Sequence, residues 1–169
     1  VNRRIAKLHR QERRYWLNEL EALEQWLKTY PGMPDNFYVD YNSELPDNAG
    51  IHPQGLMELP LGRGEGNADI AGNKKQPFQQ GFSLEFVFPK IPDENTIATQ
   101  NAAWLSSFQN WVYEENKNQT APKFGDVDLD LEKISATNGF LYAIPDDGSA
   151  RYRVNLTARY KINQPAGGN

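Results

Sequence analysis

Two segments carry apolar residues at helical spacing, with polar residues on the opposite face. The stripe of the first segment consists of Trp16, Leu20, Leu23 and Leu27. It predicts a helix over residues 3–29, most firmly over 15–29, that ends at Tyr30-Pro31-Gly32. The stripe of the second segment consists of Trp104, Phe108, Trp111 and Val112, and it predicts a helix over residues 101–117.

Other segments are predicted to be β-strands, either because they alternate apolar and polar residues or because they are rich in aromatic and apolar residues and flank a turn signal. They are Phe37–Tyr41, Phe82–Phe88, Val127–Leu131, Phe140–Ile144 and Arg151–Ile162. The last segment has the cleanest pattern, because every second residue from Tyr152 to Tyr160 is apolar or aromatic. Residues 145–149 (Pro-Asp-Asp-Gly-Ser) are typical of a tight turn, so the last two strands are predicted to form a hairpin.

Residues 46–81 interrupt this regular pattern. They hold seven of the 13 glycines and four of the 11 prolines. Such a composition predicts a long irregular segment, with short strands at Leu56–Leu61 and Ala68–Ala71. A loop of this length within one domain usually serves a function.

The order of these elements predicts an α+β fold: an antiparallel sheet of four to five strands with two helices on one face and a long irregular loop. A length of 169 residues suits one domain. We expect a basic N-terminal arm at residues 1–14, the α+β domain at 15–163 and a disordered tail at 164–169.

Composition argues against catalysis. The chain has no cysteine and two histidines, His9 and His52. Disulfides, thiolate sites and three-histidine zinc sites are therefore excluded, and neither histidine belongs to a nucleophile motif. We expect no catalytic residue, no bound metal and no cofactor. No apolar run approaches the ~18 residues of a membrane span, so a membrane partner is not expected.

The charge is distributed unevenly. The net charge is −4, yet residues 1–14 contain six cations and a single acid. These cations are Arg3, Arg4, Lys7, Arg10, Arg13 and Arg14. Three interpretations remain open for this arm: a solvated helix, a contact with an acidic protein surface, and, least favoured, a contact with DNA.

Two predicted strands carry opposite charges on one face each. Asp126, Asp128, Asp130 and Glu132 alternate with apolar residues, and so do Arg151, Arg153, Arg159 and Lys161. The first set would suit a carboxylate metal site, but a solvated strand face has the same pattern. The second set is either a solvated face whose cations offset the acidic strand, or a basic surface that meets an acidic surface of a neighbouring subunit.

Several motifs, in order, resemble those of minor capsid or tail-terminator proteins of phages with long non-contractile tails. Phe108–Lys117 is similar to the aromatic helix of that family, with the polar connection Asn118–Pro122 after it. Gly139–Tyr142 and Ala150–Tyr160 resemble its last two strands. Upstream, Trp26–Gly32 resembles the end of its first helix, and Asp69–Lys75 resembles the entry into its aromatic strand. The resemblance covers about residues 20–162 and leaves out the basic arm.

This resemblance implies an α+β structural protein of the virion. Such a protein forms a six-membered ring that caps the tail tube at the head-tail junction, after assembly in the host cytoplasm. The implied partners are further copies of the chain, the tail-tube protein and a head-completion or connector protein. Candidate interface residues are the basic arm together with Arg63, Glu65, Asp69, Lys74, Lys75, Asp126, Asp128, Asp130, Arg151, Arg153, Arg159 and Lys161.

One alternative class remains. The chain has four Trp, eight Tyr and eight Phe residues, which would also suit a non-catalytic adaptor that binds a carbohydrate or a peptide. The tryptophans, however, all lie on the predicted apolar helix stripes, where core packing is the expected role.

Overall fold

Two long antiparallel strands form the centre of a five-stranded sheet. The computed structural model describes residues 19–40, 46–61, 68–89, 94–146 and 148–166, with only the backbone described for 94–98. The elements are α1 (described over 19–27), β1 (Asn36–Val39), β2 (Asn48–Glu58), β3 (Lys74–Pro89), α2 (Glu94–Lys117), a 3₁₀ turn (Leu129–Leu131), β4 (Lys133–Ala143) and β5 (Ser149–Gln164).

The strand order is β1-β2-β3-β5-β4. The β1–β2 pair is parallel, and the β2–β3, β3–β5 and β4–β5 pairs are antiparallel. The predicted α+β class is therefore confirmed, with a sheet that is mixed at one edge. The hairpin predicted between the last two strands is present as β4 and β5.

Both helices contribute to one hydrophobic core on a single face of the sheet. The predicted alternation in β5 is confirmed, since its apolar positions from Tyr152 to Tyr160 are all buried. The core of the helical layer consists of Leu23, Trp26, Leu27, Leu105, Phe108 and Val112. Trp26 and Trp111 join α1 to α2 through stacked rings whose centroids are 4.8 Å apart.

The prediction of an irregular segment over residues 46–81 was wrong for about half of its length. β2 and the first half of β3 occupy residues 48–58 and 74–81 and pair with each other, and a turn occupies the place of the strand predicted at Ala68–Ala71. Residues 62–67 lie outside the described residues. Proline and glycine are tolerated in β2 because β1 pairs with it only as far as Ile51. Beyond that point β2 is an edge strand, so the missing N–H of Pro53 costs no hydrogen bond to a neighbouring strand. The bulge at Pro53/Gly55 requires a φ of 120° at Gly55, which glycine allows.

The strand predicted at Val127–Leu131 was also wrong. Val127 makes one isolated bridge to Lys161, and the 3₁₀ turn follows it. Asp128 has a φ of 52°, in the left-handed region that aspartate tolerates, and this conformation ends the extended backbone. As a result, Leu129 and Leu131 are exposed rather than buried. The following strand begins at Lys133, seven residues before the predicted Phe140.

Gly125 allows the connection before the 3₁₀ turn to lie against the end of β5. A Cβ atom at this position would overlap the Lys161 carbonyl oxygen and lie 2.7 Å from Oε1 of Glu132. The Glu132 carboxylate accepts hydrogen bonds from the backbone N–H groups of Phe124 (2.8 Å) and Gly125 (2.9 Å), which fixes the same connection.

We expect Gly125→Ala to lower the free energy of unfolding by about 1–3 kcal/mol, because backbone atoms must move to admit the methyl group. Gly81→Ala is the matched control, since its added Cβ would make ordinary contacts at 3.5 Å. Urea unfolding of both variants measures the difference. Equal stability of the two variants would contradict the close packing at Gly125.

Candidate assembly surfaces and polar clusters

The structure brings four of the predicted charged residues together at one end of β3 and β5. The Lys75 ammonium lies 3.1 Å from one Asp128 carboxylate oxygen, and the Lys161 ammonium lies 3.3 Å from the other. Asp126 accepts a hydrogen bond of 2.7 Å from the backbone N–H of Asn163. The hydrogen bond from Lys75, together with that from Lys161, holds the pKa of Asp128 below its ordinary value.

This arrangement pairs one cation of β5, Lys161, with the acidic segment of the same chain, and a lysine of β3, Lys75, joins it. Asp128 is paired with two lysines, and Asp126 caps the end of β5. Asp130 is exposed in the 3₁₀ turn, apart from the two lysines that hold Asp128. In the described part of the chain, no group of three or more His, Asp or Glu residues is arranged to hold a metal ion.

A second polar cluster lies on the face of the sheet opposite the core residues Phe82, Leu84 and Phe86. Arg153 donates to the Glu85 carboxylate through Nε (3.0 Å) and Nη2, and the Tyr142 hydroxyl donates to the other Glu85 oxygen at 3.0 Å. The guanidinium also lies over the Tyr142 ring, 4.5 Å from its centroid. Burial raises the pKa of the Tyr142 hydroxyl, and the Glu85 charge raises it further.

His52 extends this second cluster along the same face. Its Nε2 lies 3.8 Å from the Glu85 carboxylate, and its Nδ1 lies 3.9 Å from Asp40. Sequence reasoning singled out Arg153 but missed Glu85 and Tyr142, and it considered His52 only as a catalytic residue. The register explains why these partners are found only in the structure: Glu85 lies opposite Arg153 across the β3–β5 pair, and a bulge in β4 lies beside Tyr142.

The other predicted interface residues lie apart from these clusters or outside the described residues. Arg159 donates to the Gln79 side chain at 3.0 Å, and Lys74 is exposed at the start of β3. Asp69 accepts hydrogen bonds from both the backbone and the side chain of Asn73, and these bonds lower its pKa. Arg151 is half-buried in β5. Arg63, Glu65 and the six cations of residues 1–14 lie outside the described residues.

The outer edge of β4 has two different halves. In the first half, the Asn116 side chain of α2 donates to the Ile134 carbonyl (2.6 Å) and accepts from the Ile134 N–H (2.8 Å). Gln109 of α2 donates to the Ala136 carbonyl at 3.3 Å. The second half instead exposes large apolar side chains: Phe140 (47%), Leu141 (40%) and, just past the strand, Ile144 (53%).

Three of the four tryptophans lie in or against the core, as their spacing predicted, and Trp16 lies outside the described residues. Trp104 also donates from its ring nitrogen to the Gly32 carbonyl at 3.0 Å, which ties α2 to the turn after α1. These rings pack on one another and on Phe86 and Phe108.

Glu19 is a buried carboxyl group that sequence reasoning did not single out. Burial raises its pKa from 4.5 to about 8, with a smaller contribution from the charge of Glu132. Glu132 is itself a buried carboxyl whose pKa is raised by burial, although the hydrogen bonds from Phe124 and Gly125 oppose that rise. A glutamate within a predicted helix gives no sequence signal of such burial.

No protein-family model matches the chain, and a search of curated proteins found no significant match. Within the described ranges, no helix combines the length and the apolar character needed to cross a membrane.

We expect the free energy of unfolding to fall as the pH rises from about 4.5 to about 8. The folded state keeps the Glu19 proton across this range, whereas the unfolded chain releases it. The loss of folding stability is therefore absent below the range and complete above it. Its size should be on the order of 2 kcal/mol, because solvent screening weakens the full effect of the shift.

Glu19→Gln should remove this dependence and leave the protein more stable than the wild type at pH about 8.5. Glu21→Gln is the matched control, since it removes the same charge from an exposed position of α1. Urea unfolding of the three proteins at several pH values provides the measurement. A pH profile of Glu19→Gln that coincides with those of the other two would show that the buried carboxyl is not the cause.

Proposed function

We propose that this protein is a non-catalytic structural component of a phage virion, a tail terminator that forms a ring on the tail tube and joins it to the head. The observation that carries the proposal is the pair of dissimilar open edges of the sheet, both of which expose apolar side chains. The order of motifs that resemble the tail-terminator family gives the particular function.

The exposed half of the β4 edge suits contact with another chain. An edge strand with large apolar side chains is a template for strand pairing, and monomeric proteins normally cover or charge such an edge. Here α2 covers the half around Ile134 and Ala136 through the Asn116 and Gln109 side chains. The half around Phe140 has no such cover among the described residues.

The opposite edge of the sheet offers a different surface. It consists of the four-residue β1, whose last residue, Val39, is exposed, and of β2 beyond Ile51, where Leu56 and Met57 are exposed. Contact between two different edges is heterologous, and such contacts close into a ring when the rotation between subunits allows it. The twist of each sheet supplies a rotation of this kind.

Charged residues suit a secondary role in this assembly. Fewer acidic side chains are available to meet a basic surface of a neighbouring subunit, because Asp126 and Asp128 are bound to groups of their own chain. Arg159 and Lys74 remain exposed near the end of the long strands. Rim charges of this kind affect the rate and salt dependence of association more than its strength.

The alternative of a carbohydrate- or peptide-binding module has less support. Its main sequence feature was the number of aromatic residues, and the described tryptophans are packed against other rings of the same chain.

The test of the ring is the mass of the full chain in solution, alone and with tail-tube protein, by light scattering. We expect a closed oligomer, six copies in the proposed form, with electron microscopy showing rings that cap tubes. A monomer under both conditions would contradict the proposed function.

The test of the edge is the double variant Phe140→Lys with Ile144→Lys, which adds charge to the exposed half of β4. We expect the double variant to stay folded and to need a protein concentration at least ten-fold higher for assembly. Ile70→Lys is the matched control, because Ile70 is a fully exposed apolar residue in the turn before β3. If the double variant assembles as well as Ile70→Lys, the β4 edge is not the interface.

A further inference from the structure

A cavity of about 210 Å³ opens between α1 and the edge of the sheet formed by β2 and β3. Leu20, Pro53 and Phe82 form its apolar walls, and Glu19 and Gln80 supply its polar groups. The volume far exceeds the ~15 Å³ that a water molecule needs by the same kind of measure, so an organic group can enter.

The polar groups of this cavity are buried and lack partners. Glu19 is 8% exposed and Gln80 is 3% exposed. Both carboxyl oxygens of Glu19 and the side-chain oxygen of Gln80 have no hydrogen-bond partner among the described residues. Buried polar groups in native proteins are almost always satisfied, so three unpaired oxygens at one cavity indicate a missing donor.

The chemistry of these oxygens defines the missing group. A carboxylate and an amide carbonyl accept hydrogen bonds, and the Gln80 amide nitrogen is directed to the Gly81 carbonyl at 3.4 Å. A hard metal ion such as Ca²⁺ requires six or more oxygen ligands, which walls of Leu20, Pro53 and Phe82 do not supply. An ammonium or guanidinium group brings several N–H donors and a positive charge, and its apolar stem would lie along those walls.

We propose that the cavity between Glu19 and Gln80 binds an alkylammonium or alkylguanidinium group. The positive charge pairs with the Glu19 carboxylate, one N–H donates to the Gln80 carbonyl, and the alkyl stem packs on Phe82 and Pro53. This inference is independent of the proposed ring.

The same chemistry has two sources. One is a free amine, and the other is a lysine or arginine side chain of another protein molecule. The chain itself carries six such side chains in residues 1–14, whereas residues 15–169 hold 12 cations and 21 acids. The basic arm of a second copy is therefore the protein source to test.

Protonation of Glu19 links binding to pH. Its raised pKa of about 8 means that a cation must displace a proton at neutral pH. Glu132 is the charged group that acts on Glu19 from the rest of the described chain, and its negative charge also favours a cation. Binding should therefore be tighter at pH about 9 than at pH about 6.

The first experiment titrates n-butylammonium into the full chain by calorimetry, with NMR of the Gln80 side-chain amide as the local readout. We expect saturable binding that is about ten-fold or more tighter at pH about 9 than at pH about 6, and a shift of the Gln80 signal. Glu19→Gln should weaken binding at least ten-fold, while the control Glu21→Gln should bind like the wild type.

The neutral isostere n-butanol separates charge recognition from the filling of an apolar cavity. Equal binding of n-butanol and n-butylammonium would overturn the proposal, as would equal binding by Glu19→Gln and Glu21→Gln. A lack of saturable binding with an unmoved Gln80 signal would also overturn it. Glu19→Gln has the shape of a protonated glutamate, so loss of the fold is not expected to obscure the result.

The second experiment identifies the source by adding a synthetic peptide with the sequence of residues 1–14. Competition with n-butylammonium that Glu19→Gln abolishes and Glu21→Gln keeps would support a side chain of another copy. Binding of n-butylammonium without competition by the peptide would overturn that source and support a free amine.

Discussion

The β3–β5 pair is the constraint on which the rest of the molecule depends. Its two 16-residue strands pair without interruption from Lys74–Gln164 to Pro89–Ser149. Because side chains alternate along each strand, one register fixes both faces at once. It places Phe82, Leu84 and Phe86 beside Leu156, Val154 and Tyr152 under the helices. A shift of one residue would expose that set and bury Arg153 with its neighbours.

Different contacts hold the two ends of this long strand pair. Towards Pro89, stacked and edge-on rings of Phe86, Phe88, Trp104 and Tyr152 join the sheet to α2. Towards Lys74, the Phe78 and Phe124 rings stack on Tyr160, and polar contacts lie nearer the strand end: the lysines on Asp128, and the Asn73 side chain on the backbone N–H of Ala166. Gln164 accordingly ends β5, where a disordered tail was expected.

The sequence predicts elements well where one periodic face meets the core. The α2 stripe and the β5 alternation are of this kind, and both are confirmed. The sequence fails as a guide where tertiary context decides the structure. Pro53 is acceptable in β2 only because no further strand pairs with β2 at that position. Asp128 has a left-handed backbone, which breaks an alternating pattern. Strand pairing brings Glu85 to Arg153, and burial distinguishes Glu19 from the other glutamates of α1. Neither the pairing nor the burial leaves a local signal in the sequence.

The Asn116 side chain has a consequence for the outer edge of β4. One amide gives both a donor and an acceptor to Ile134, so it takes the place of a neighbouring strand at that position. The lateral position of β4 is thus set from two sides, by the pairing with β5 on one side and by a residue in the last turn of a helix on the other. Loss of the amide at position 116 would therefore leave the N–H and the carbonyl of Ile134 open to pairing with a strand of another chain.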